Sequence, residues 1–180
     1  MRFASLVALS MVTVACADAT SPGTGGTTSV PRPTDAFARL DVYEPLIREM
    51  AGLEGRLDGP LVVNDLICDG AGDPVDAGAT CDESFTTVEQ AELQDRLADL
   101  DVEVRFASGW EDVIGEQLEN PERLIYVWVG PLESHGETYW SGAGMWCGGK
   151  CGHGGTYVVA SLGDVWRVEG PAPGTSTWIS

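Results

Sequence analysis

The sequence predicts an α+β domain, with N-terminal helices packed on a mainly antiparallel C-terminal β-meander and disulfides stapling the whole. Three observations carry that expectation. Phe37, Leu40, Tyr43, Ile47 and Met50 recur at spacings of three and four, the helical period. From Leu124 onward the texture turns to short apolar and aromatic runs punctuated by glycine, as in successive strands. Four cysteines, Cys68, Cys81, Cys147 and Cys151, lie beyond the leader region, an even number suited to pairing.

The first helix has two possible forms, because Pro45 removes a hydrogen bond and crowds the preceding turn. Either the helix starts near Asp41 with Pro45 in its first turn, or a longer helix runs through it to a stop at Gly52. Leu61-Val62-Val63 with Leu66-Ile67 reads as one buried strand ending at Cys68. Asp69 to Ser84 is a loop by composition. Thr87 and Gln90 are spaced as a capping box, and Leu93, Leu97 and Leu100 share one face of the helix that follows. Val102 to Phe106 alternates as a strand, and Trp110 to Leu118 is a short helix before Asn120-Pro121. Strands are expected at 124–129, 139–146, 156–160 and 165–168. Gly163 supplies the positive φ of the last hairpin.

The start of the chain sets the compartment. Arg2 precedes an apolar run, Phe3 to Val14, too short to span a bilayer and closed by small residues. Residues 1–15 are therefore expected to be an export signal. Ala15-Cys16 resembles the lipobox of bacterial lipoproteins, with Thr13 and Val14 where that motif usually has Leu and then Ala or Ser. The resemblance implies lipidation at Cys16 and a membrane partner reached through that anchor. Residues 16–34, rich in Gly, Ser, Thr and Pro, read as a flexible tether, leaving 35–180 as a single domain. Ala17, not Asp, follows Cys16, so an inner-membrane retention residue is absent, which in a cell with two membranes points to an outer face.

The chain carries 10 basic and 28 acidic residues, a formal charge of −18. Such a surface repels nucleic-acid phosphates and anionic lipid headgroups and favours cations and basic partners. No nucleic-acid partner is expected. With Cys16 modified or removed, four cysteines in an oxidising compartment make two disulfides. Three pairings are open. The local one, Cys68–Cys81 and Cys147–Cys151, is the expectation.

The run Cys147-Gly148-Gly149-Lys150-Cys151-Gly152-His153-Gly154-Gly155-Thr156-Tyr157-Val158-Val159, followed by Trp166-Arg167-Val168 and a terminal Trp178-Ile179-Ser180, resembles a group of uncharacterised exported bacterial proteins. That likeness implies export and an α+β fold. It transfers no catalytic residue.

Several sites compete. His135, Cys147, Cys151 and His153 could fill a tetrahedral zinc shell. A disulfide across the Cys147–Cys151 turn is the preferred reading, since the compartment is oxidising and no paired C-x-x-C knuckle is present. Redox chemistry wants C-x-x-C at a helix start, and the spacing here is one residue longer. Gly148, Gly149, Gly152, Gly154 and Gly155 complete no phosphate loop and are read as turn formers. Asp69, Asp73, Asp76 and Asp82 fail the EF-hand spacing, which leaves a solvated loop as the default over calcium. No G-x-S-x-G elbow is present. Trp110, Trp128, Trp140, Trp146, Trp166 and Trp178 are assigned to packing ahead of a sugar cleft. The functional expectation is a non-enzymatic binding or interaction module in the bacterial envelope, with no catalytic residue and no cofactor. The alternative is a zinc-binding protein or small metal-dependent enzyme at the Cys147–His153 turn. A hydrolase or inhibitor whose groups meet only in the fold is a third reading.

Overall fold

The computed structural model describes residues 38–52, 59–69, 79–119, 124–148 and 151–179. The expected signal at 1–15, Cys16, the tether and the first residues of the domain lie outside them, as do Asp73, Asp76, Gly149 and Lys150. The fold is α+β. Strands β1 (Leu61–Asn64), β4 (Val104–Ala107), β5 (Ile125–Val129), β6 (Glu133–His135), β7 (Thr138–Gly148), β8 (Cys151–Leu162), β9 (Val165–Pro171) and β10 (Trp178–Ile179) form one sheet. A separate small ribbon pairs β2 (Leu66–Ile67) with β3 (Glu83–Ser84). The helices are α1 (Ala38–Gly52), α2 (Thr87–Arg96) and α3 (Trp110–Glu119).

Most of the sheet is antiparallel, as the meander predicts. At its far end β1 lies between β4 and β5 and is parallel to both. Alternation had no means of announcing this, because Leu61, Val62 and Val63 are all buried. Strands buried on both faces lose their period-two pattern and are typical of parallel pairs.

One face packs on α1. Leu40, Tyr43, Leu46, Ile47 and Met50 meet Val63, Val127, Met145 and Val159 in a core that Leu93 of α2 and Leu97 at its C-cap extend. Burial on both sides of Pro45 holds α1 together through the proline, the longer of the two possible helices. Ion pairs tie α1 to α2 and to the 3₁₀ turn after it (Ala98–Leu100), with Arg96 on Asp41 at 2.6 Å and Arg48 on Asp99 at 2.7 Å. α3 lies on the other face, where Val113 packs with Val62, Tyr126 and Trp128.

Two expectations need correction. The capping box sits one residue earlier: the Thr86 hydroxyl accepts from the Glu89 amide at 3.3 Å, and the Thr86 amide donates to the Glu89 carboxylate at 2.8 Å. Glu89 is favoured over Gln90 because its buried carboxylate also receives Arg39 of α1, while Gln90 turns to the Phe85 carbonyl. The stretch from Leu61 to Ile67 is two strands. Asp65 interrupts it, and Leu66-Ile67 pairs with β3 instead of continuing beside β5.

Candidate functional site

A row of four residues runs straight across the sheet. Trp128 of β5 pairs with Gly144 of β7, Gly144 with Gly154 of β8, and Gly154 with Trp178 of β10. The two indoles lie down over the two glycines and stack on each other, ring centroids 6.1 Å apart and planes 10° from parallel. A Cβ on Gly144 would come within 2.2 Å of the Trp128 ring, and one on Gly154 within 2.7 Å of Trp178. Gly154 is therefore not the turn former expected, and Gly144 plays the same part on β7. They give up their side chains so that the indoles can sit against bare backbone.

Next to this row, on the same face, the sheet is cut. β5 and β6 share one flank of β7, and β9 and β10 share one flank of β8. Both flanks break at the level of the paired residues Gly142 and Thr156. The Gly130 amide donates to the Gly142 carbonyl at 2.7 Å on one side, and the Ala172 amide to the Thr156 carbonyl at 2.8 Å on the other. The result is a slot of about 260 Å³ with Gly142 and Thr156 in its floor. Asp69, Glu133, His135, Trp140 and Thr175 stand around it.

Each wall is fixed by identifiable contacts. Gly130 packs so closely on Gly142 and the Cys68 carbonyl that a Cβ there would lie 3.2–3.3 Å from backbone atoms. Its carbonyl accepts from the Tyr43 hydroxyl at 3.1 Å and the Ser141 hydroxyl at 2.8 Å, both buried. Cys68 is bonded to Cys81, and the Asp69 amide donates to the Thr80 carbonyl at 2.8 Å, which sets Asp69 at the rim. In the β6–β7 hairpin, the His135 ring stacks on Trp140 at 4.0 Å and 15°. The Glu133 carboxylate stands 3.7 Å from the His135 Nε2. Thr175 donates its hydroxyl to the Ala172 carbonyl at 2.7 Å, closing the turn between β9 and β10.

The other sequence-predicted residues lie apart from this slot. Cys147 and Cys151 are bonded to each other, and Cys147 packs against the α1 core. His153 is on that same core face, its Nδ1 3.0 Å from the Tyr157 hydroxyl. His135 pairs beside Thr138 and His153 beside Met145, seven positions along β7. That is about 23 Å at strand rise, and on opposite faces of the sheet. His135, Cys147, Cys151 and His153 do not converge. Among the described residues no three His, Cys, Asp or Glu side chains are grouped to hold a metal ion. Asp69 lies at the slot, and Asp82 lies beyond it near β3.

A second polar place escaped the sequence reading. Where β1 and β4 end beside α3, the Ser108 hydroxyl donates to Asp65 at 2.9 Å, and a cavity of about 320 Å³ is lined in part by Arg105 and Asp112. Burial pushes the Tyr126 phenol nearby well up, with Asp65 and Asp112 adding to the shift. No short motif marks either place, because each is assembled from separate strands.

No family model, curated protein or solved structure matches this chain.

Proposed function

We propose that this chain is an exported, lipid-anchored protein of the bacterial envelope, and that it works as a binding module through the slot over Gly142 and Thr156. The slot carries the reading. It is a concavity with an aromatic wall and a few polar groups on it, the usual make-up of a small-molecule site. Its walls are held by hydrogen bonds and a disulfide, so little ordering accompanies binding. Two disulfides in the domain support an oxidising compartment, and they leave Cys16 as the fifth, odd cysteine, free for a lipid.

The site is tested by following the Trp140 indole N–H resonance against small neutral, anionic and cationic fragments. At least one class is expected to shift it saturably while leaving the Trp128 resonance in place. If no class does so, the binding reading is wrong. The anchor is tested by growth with labelled palmitate. Wild type takes up label and pellets with membranes, whereas Cys16→Ser does neither. An unlabelled, cytoplasmic wild-type protein would overturn export and anchoring together.

A further inference from the structure

We infer that the slot takes an alkyl ammonium group, the chemistry shared by short polyamines and by lysine side chains. The inference rests on the slot being a binding site. Two acidic residues line it from separate elements, Asp69 beside the Cys68–Cys81 disulfide and Glu133 in β6. His135 is the one basic side chain among the described residues lining it, and that ring is stacked on Trp140. A ligand entering here meets net negative charge at short range and the field of a −18 chain at long range.

The geometry narrows the cation. Asp69, Glu133 and His135 are not grouped to coordinate a single ion. A metal, which needs several donors at about 2–2.6 Å, is poorly served by them. A guanidinium fork favours both oxygens of one carboxylate. Two acidic residues on separate elements suit a point charge on a flexible stem, which can meet either. Trp140 and Pro131 offer apolar surface for that stem, and Thr156 and Thr175 stand beside it with hydroxyl groups. At about 260 Å³ the slot falls just under the usual small-molecule range of about 300 Å³ and upward, so the occupant is one short chain.

The probe is 1,5-diaminopentane, titrated into the disulfide-intact protein while the Trp140 indole N–H is followed. 1-Pentanol and glutarate serve as the neutral and anionic counterparts, and a short Lys-Gly peptide as the second amine source. The diamine or the peptide is expected to shift Trp140 saturably, and the tighter of the two identifies the source as free amines or protein lysines. Asp69→Asn and Glu133→Gln should each weaken binding by about fivefold, the scale of one exposed ion pair. Glu103→Gln, just before β4 on the far edge of the sheet, removes the same charge and should change affinity less than twofold. Both slot carboxylates are exposed, so these variants keep the fold, as unchanged Trp128 and Trp178 resonances will show. Equal weakening by Glu133→Gln and Glu103→Gln would reduce the effect to overall charge and overturn the inference. Shifts by pentanol or glutarate with none by either amine would overturn it and leave the binding reading standing. No shift by any probe would overturn both.

Discussion

Replacing Gly144 by alanine tests the row of indoles and glycines directly. The new Cβ would lie 2.2, 2.6 and 2.8 Å from three atoms of the Trp128 ring, so the indole must move. Trp128 is only 5% exposed and has little room to do so. Forcing an added methyl into such a site costs about 1–3 kcal/mol. Displacing the ring from Trp178 loses a further ~0.5–1.5 kcal/mol of stacking. Together these predict a loss of about 2–4 kcal/mol, or about 5–15 °C in Tm for a domain of this size. Urea unfolding followed by tryptophan fluorescence measures the loss. The same substitution in a Trp128→Ala background should cost less than about 0.5 kcal/mol, since the clash is then gone. Gly154→Ala should be milder, because Trp178 sits on a two-residue strand at the edge of the sheet and can lift away. A Gly144→Ala protein within about 0.5 kcal/mol of wild type, or an equal cost in both backgrounds, would refute the packing argument.

Other consequences are as open to measurement. Burial raises the pKa of the Glu89 carboxyl, but hydrogen bonds from Arg39 and from the Thr86 amide and hydroxyl outweigh it and hold it below its ordinary value of 4.5. Its stabilisation is therefore complete above that value and is lost as the pH falls through the lower folded one. Glu89→Gln should cost about 2 kcal/mol at pH 7, by losing a charged hydrogen bond, and should converge with wild type in acid. A constant difference from pH 7 to pH 2 would count against this. Removing the Cys68–Cys81 bond, which closes a 13-residue separation, should lower stability by about 3 kcal/mol and weaken slot ligands by freeing Asp69. Unchanged affinity in the Cys68→Ser/Cys81→Ser protein would separate the disulfide from the site.

The order of elements was legible because it depends on local pattern. α1 follows a three-and-four spacing, the β8–β9 hairpin turns at Gly163 with φ +70° as expected, and both disulfides join near neighbours in sequence. What failed to show in the sequence was lateral. The parallel placement of β1 between β4 and β5 depends on crossovers that no single strand encodes. Gly154 and Gly155 in a glycine-rich run look like turn residues until Trp178 of β10 and Thr177 just before it are seen lying on them. Both histidines drew attention for their closeness in sequence to cysteines. The sheet sends them to opposite faces, and only His135 reaches the slot.

The slot is better understood as a built feature than as a gap between loops. A continuous strand on either flank of the β7–β8 hairpin would have kept its ladder of backbone bonds, and breaking one exposes amides and carbonyls that need other partners. Here both flanks break at one residue pair, Gly142 and Thr156, and the freed groups are satisfied locally. The Gly130 carbonyl takes two buried hydroxyls, one of them from α1, and the Ala172 carbonyl takes the amide and hydroxyl of Thr175. A single break could follow from the connection between two strands. Two at the same level, each with its own bonds and one backed by a disulfide, open a rigid concavity where an unbroken sheet would be flat. The indole row closes the adjoining stretch of the same glycine-lined face, so the opening is confined to the point where Asp69, Glu133 and Trp140 gather.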